Sequence, residues 1–213
     1  MAIKGLSKLV VGKYAYDESV VTYTEPQAVQ KMVEYSLTLN QSENNPLYAD
    51  NAEAENDKGT FQNGELSITT DDLTQEVSVM ILGTKENDEV TYEQSKTVKE
   101  QVYDDTMNPP DLGVGFIELH QNKGVDKYRA IFLHKVFFNV PEQAATTKGE
   151  QVEWQTPTIT GTVQRSEGSD ANGKHPWMTD AWFDSEEDAL SYLLFKCGKA
   201  VSELSLKKVS ENK

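Results

Sequence analysis

Apolar and polar residues alternate along much of the chain, the two-residue period of a strand with one covered face. Between residues 33 and 39, Val33, Tyr35, Leu37 and Leu39 alternate with Glu34, Ser36 and Thr38. Between 64 and 70, Leu66 and Ile68 alternate with Glu65, Ser67 and Thr69. A run at 116–120 leads into Asn122–Lys123–Gly124, a hairpin turn in which glycine supplies positive φ. The next strand is long, with Tyr128, Ala130, Phe132, His134, Val136, Phe138 and Val140 on one parity. Pro141 ends it, because proline cannot donate to a ladder. A further strand is expected over 158–164.

Two segments carry the helical period instead. Leu73, Val77, Met80 and Ile81 fall on one helical face, with Thr70 or Asp71 as cap and Gly83 at the left-handed position after the last turn. A second helix is expected from Ser185, where Glu186, Glu187 and Asp188 make a capping-box pattern with acids at the positive end of the dipole. It continues through Leu190, Leu193, Leu194 and Cys197 to Gly198. The pattern predicts a mainly β domain, a sandwich or rolled barrel with one flanking α-helix, followed by a small helical C-terminal appendage.

The connector from Asn40 to Gly59 is long, and its one lysine faces five acids, for a net −4. Loops longer than about 12–15 residues usually have a function or no order. Pro46, Leu47 and Tyr48 in its middle form an apolar anchor that a solvated linker does not need. The polar stretch 85–111 has no assignable pattern, 168–176 reads as a surface loop, and 202–213 as a polar tail.

Composition narrows the partners. The 213 residues include 35 Asp+Glu against 20 Lys+Arg, a formal net charge of −15. Sequence-reading nucleic-acid binders draw affinity from cations that neutralise phosphates, so that class is excluded, and so is docking on an anionic membrane. One cysteine, Cys197 in an apolar stretch, permits no disulfide framework and reads as an inert hydrophobe. No secretory signal or membrane span is visible in the opening residues, and folding in a reducing cytoplasm is the expectation.

The chemistry-bearing residues are sparse. His120 and His134 lie on the two strands of one hairpin but are not cross-strand neighbours, so a shared metal site is not expected; His134 reads as a core histidine and His175 as surface. Gly113–Val114–Gly115 leads into a strand, the wrong context for a dinucleotide. No phosphate-binding glycine loop, zinc motif or nucleophile elbow is present. The acids at 184–188 lack the glycine and terminal glutamate of a calcium loop. No catalytic residue, metal ligand or cofactor is expected, and the chain does not read as an enzyme.

Several segments in order, MAIKGLSKLVVGKY, NNPLYADN, DDLTQEVSVMILG, GVGFIEL, YRAIFLHKVFFNVP and QTPTITGTV, resemble the major tail tube proteins of long, flexible, non-contractile-tailed phages of Gram-positive hosts. The resemblance spans the chain to about Val163 and weakens after Gly168. It implies a tube-forming β-sandwich over 1–167, similar to the tube protein of type VI secretion, with 168–213 as an appendage. It implies a structural protein of the virion, assembled in the host cytoplasm into six-membered rings that stack into a conduit for DNA. The partners implied are other copies of itself and the tail-tip, terminator and tape-measure proteins, with DNA passing through unbound and no membrane involved. About 24 strands at ~4.8 Å would enclose a bore of ~37 Å before tilt, wide enough for one duplex.

On this resemblance Glu34, Ser36, Thr38, Glu65, Ser67 and Thr69 are expected on the lumen, where carboxylates and hydroxyls repel phosphate or give it nothing to hold. Asn45, Pro46, Leu47, Tyr48 and Asp50 are expected in a ring-stacking loop, and Leu73, Val77, Met80 and Ile81 in helix packing within or between subunits. The alternative is a monomeric β-sandwich that binds carbohydrate on Trp154, Trp177 or Trp182.

Overall fold

The computed structural model describes residues 2–29, 31–86, 90–93, 96–142 and 156–200. Its strands are β1 (Ala2–Asp17), β2 (Val20–Ala28), β3 (Met32–Gln41), β4 (Asn45–Ala49), β5 (Ala52–Asp57) and β6 (Phe61–Thr70). Helix α1 (Gln75–Leu82) follows, then the short strands β7 (Lys85–Glu86), β8 (Val90–Glu93), β9 (Lys96–Val98) and β10 (Gln101–Val102). The chain continues through β11 (Leu112–Asn122), β12 (Val125–Phe138), β13 (Thr158–Gln164), β14 (Met178–Phe183) and α2 (Glu186–Lys196). The fold is mainly β, as the alternation predicts.

Eight strands form one antiparallel sheet in the order β2-β1-β11-β12-β13-β6-β3, with β14 also on β12. β12 is the branch point. Its first half, Tyr128–Leu133, pairs with β14, and its second half, Lys135–Phe138, pairs with β13. The two halves of the sheet diverge there and roll over a common core, bringing β3 against β1 and β11. Phe116, Phe138, Leu9, Leu66, Ile68, Leu112, Leu133 and Ile159 fill the interior with side chains removed from water. At roughly 1.5–3 kcal/mol per large buried apolar side chain, this cluster is the main source of stability.

The single parity expected for β12 does not hold. Leu112 faces Val136 while Val114 faces Leu133, so β12 carries one extra residue, a bulge at His134–Lys135. Before the bulge, Ala130 and Phe132 point to the outer face and Ile131 and Leu133 to the core; after it, Val136 and Phe138 point to the core. The strand is buried on both faces and ends at Phe138, before Val140.

The other side of that sheet is covered by α2. Ser185 caps it, accepting from the Asp188 amide at 3.1 Å, the box its sequence predicts. Ala189, Leu193 and Cys197, spaced four apart, pack on Val10, Ile117, Ala130 and Phe132. The lone Gly-x-Gly finds its reason here: a Cβ on Gly115 would stand 2.8 Å from Leu193. Residues 178–198, expected as part of an appendage, are therefore strand and helix of the main body; the tail 202–213 lies outside the described residues.

Two further expectations change. Helix α1 starts one turn later than the periodicity suggests, with Thr74 rather than Thr70 or Asp71 before it. Thr70 is drawn off by the Asp72 carbonyl and Asp72 by the Leu73 amide, local bonds that compete with capping. Gly83 does close the helix in the left-handed conformation at φ 65°. The connector 40–59 is not an irregular loop. It is the hairpin β4–β5, turned through Asp50 and Asn51, both at positive φ.

Candidate assembly surface

The six polar residues predicted to share a face do so. β3 pairs with β6 so that Glu34 faces Thr69, Ser36 faces Ser67 and Thr38 faces Glu65. Between them Tyr35 faces Ile68 and Leu37 faces Leu66, and these point to the core. β13 widens the polar face: Thr158, Thr160 and Thr162 stand opposite Thr69, Ser67 and Glu65. Thr69 and Thr158 share a hydrogen bond of 2.9 Å. These three threonines were not singled out beforehand, although the Thr-Ile-Thr-Gly-Thr-Val alternation carries the signal. None of β3, β6 or β13 contains lysine, arginine or histidine. The surface thus presents hydroxyls, carboxylates and, where Asn40 donates to Asn63 at 2.7 Å, side-chain amides, with no cation to hold an anion.

β3 is the outer strand of this half and pairs only with β6 among the described residues. The opposite margin, β2, is broken by Glu25 at φ 52° and by Pro26, two devices that protect an edge. β3 carries neither a proline nor a cation, so its ten residues leave a long row of backbone groups available for pairing.

The β4–β5 hairpin projects beyond the β3/β6 end, its two strands contacting chiefly each other. Asn45 and Asp50 are exposed, Pro46 is half-buried, and Leu47 and Tyr48 are 60% and 65% exposed. Two apolar side chains are thus bared on a two-stranded arm that has no core of its own to cover them. Of the residues expected in helix packing, Val77, Met80 and Ile81 of α1 are buried and Leu73, which precedes the helix, is partly so, all in the main core of their own chain.

The tryptophans are dispersed. Trp177 stacks on Phe61 at 4.6 Å and is half-buried, Trp154 lies outside the described residues, and Trp182 alone is broadly exposed. Trp177 and Trp182 pack on different rings, Phe61 and His120.

The titratable groups serve structure. Buried Glu118 accepts from the Tyr35 hydroxyl, from His120 Nε2 at 2.9 Å and from Arg129 at 3.3 Å. Arg129 also donates to Asp180 at 2.7 Å. Burial raises the Glu118 pKa, but the bonds from Tyr35 and His120 and the Arg129 charge outweigh it and hold the carboxyl below its usual range. His134 is a core histidine, held near 4 by burial and by the Lys196 charge. Burial pushes the Cys197 thiol up to about 12, so it is inert. No group of three or more metal-ligating side chains occurs among the described residues, nor a helix long and apolar enough to cross a membrane.

Comparison with models of known protein families gives no match, and no curated protein matches the chain.

Proposed function

We propose that this chain is a structural protein that assembles with copies of itself into rings and stacked tubes, the tail tube of a long-tailed phage through which DNA passes. The observation that carries the reading is the polar face of β3, β6 and β13, three strands wide and free of cations, beside an open edge. A wall of this kind repels phosphate and offers DNA no ionic hold, whereas rings of lysine or arginine would retard it. Copies joined through edge strands also remove the row of unpaired backbone groups that would otherwise template disordered aggregation. The β4–β5 hairpin supplies the arm that links copies, with Leu47 and Tyr48 as its apolar contact. Assembly in the host cytoplasm, a place in the virion, and contacts with tail-tip, terminator and tape-measure proteins belong to the same proposal.

Size-exclusion chromatography with light scattering, followed by negative-stain imaging, tests it. Rings or tubes are expected, and deleting 45–57 should leave a folded monomer or unstacked rings. A compact monomer at every concentration, or tubes unchanged by the deletion, would count against the reading.

A further inference from the structure

One apolar surface remains without a role. β6 and β12 run in the same direction, each antiparallel to β13 between them, and the register that sets Gly64 opposite Val163 and Val163 opposite Val136 leaves Val125 at the far, free end of β12. At that end the β11–β12 turn and the end of β14 frame a groove of about 510 Å³, lined by Lys123, Val125, Lys127, Trp182, Phe183 and Asp184. Val125 is 58% exposed and Trp182 is 45% exposed. Lys127 pairs with Asp184, while Lys123 makes no ion pair among the described residues. In a chain of net charge −15, this is an apolar surface rimmed by two cations against one carboxylate.

The hairpin is its chemical complement. Leu47 and Tyr48 are bare, and residues 45–57 contain Asp50, Glu53, Glu55 and Asp57 with no lysine or arginine. Glu55 and Glu53 stand opposite Leu47 and Tyr48 in the hairpin register, so apolar and acidic groups travel together on one arm. An isolated two-stranded hairpin is marginal in water, and an arm of this kind gains order from the surface it meets.

We propose that the hairpin of one copy docks in the Trp182 groove of a second copy. Tyr48 covers Val125, Trp182 and Phe183, and Glu53, opposite Tyr48 in the hairpin register, approaches Lys123, while Leu47 and Glu55 stand on the other side of the arm. The contact is heterologous, the kind that generates a ring where the rotation between copies closes. It rests on the assembly reading above and refines it, placing the arm's first contact on the neighbouring subunit rather than on the next ring.

Paired cysteines test this. A Tyr48→Cys/Val125→Cys protein, mildly oxidised, should give a ladder of covalent oligomers on a non-reducing gel, with neither single variant doing so. Charge reversal gives a second measurement: Glu53→Lys should abolish assembly, and adding Lys123→Glu should restore it. Rings that form normally with no cross-linking and no rescue would overturn the docking site and leave the assembly reading standing. Cross-linking by Tyr48→Cys alone would overturn it as well. A wild-type chain that stays monomeric would overturn both.

Discussion

Replacing Tyr35 by phenylalanine removes one hydroxyl, and the structure says what that hydroxyl does. It crosses from β3 to the buried Glu118 carboxylate on β11, the polar tie between the two halves of the rolled sheet. Glu118 is only 1% exposed, so water cannot replace the lost donor easily. Hydrogen bonds to charged groups contribute about 1.5–3 kcal/mol, and Tyr35 is itself only half-buried, so a loss of about 2 kcal/mol is expected. Glu118→Ala should cost more, about 3–5 kcal/mol, because it leaves Arg129 and His120 without their shared acceptor. Combining Tyr35→Phe with Glu118→Gln isolates the contact, with an expected coupling of about 1 kcal/mol. Urea unfolding of dilute, monomeric protein measures each value, with the slope unchanged.

The pH dependence has a fixed sign. Glu118 is held below its unfolded value, so its contribution is complete above the ordinary carboxylate range and is lost as pH falls through the folded value. Tyr35→Phe deletes one of the bonds that lower it, and the acid limb of the stability curve should move to higher pH. A cost for Tyr35→Phe below about 0.5 kcal/mol, or no coupling, would refute the assignment of Glu118 as the tie.

Two other expectations follow from packing and titration. Gly12→Ala would set a Cβ 2.9 Å from the Cys197 Cβ and 3.0 Å from its carbonyl oxygen, so the end of α2 must move, at a cost of about 1–3 kcal/mol; hydrogen exchange should quicken in α2 while β11 stays protected. His134, near 4 in the fold against about 6.5 unfolded, contributes fully above pH ~6.5 and loses up to about 3 kcal/mol as pH falls toward 4. His134→Gln should flatten that slope in urea midpoints taken across the window; an unchanged slope would show that another group carries it.

Local signals in the sequence reached local structure. The alternation in β6 and β13, the Lys123–Gly124 turn and the Ser185 cap each depend on a few adjacent residues, and each is found as predicted; in β3 Tyr35 and Leu37 face the core as expected, whereas Val33, beside a register shift, and Leu39 are exposed. The polar face followed from the same alternation, since period two places Glu34, Ser36 and Thr38 together whatever the strand's neighbours. Features set by distant contacts were not legible. The bulge at His134–Lys135 exchanges the two faces of β12 without breaking its apolar run, so parity counting passes straight through it. Residues 45–57 hold a hairpin although their sequence is polar and acidic, because Asp50–Asn51 makes the turn and the strands have no core to face. β14 has no visible alternation between buried and exposed residues strong enough to announce it; it becomes a strand by pairing with β12.

The pairing of β1 with β11 also sets the order in which the molecule can come into being. The first strand to leave the ribosome finds β2 at once but waits for its second partner, made roughly a hundred residues later, as in Lys13 opposite Leu112. β14 and α2, which complete the sheet and cover its outer face, come later still. Contacts so distant in sequence make for slow folding, and little of the core can close on a partial chain. The open edge of β3 and the bare hairpin are thus synthesised well before the surfaces that would receive them. In the proposed assembly, contact between copies therefore waits until translation is nearly finished, a delay built into strand order alone.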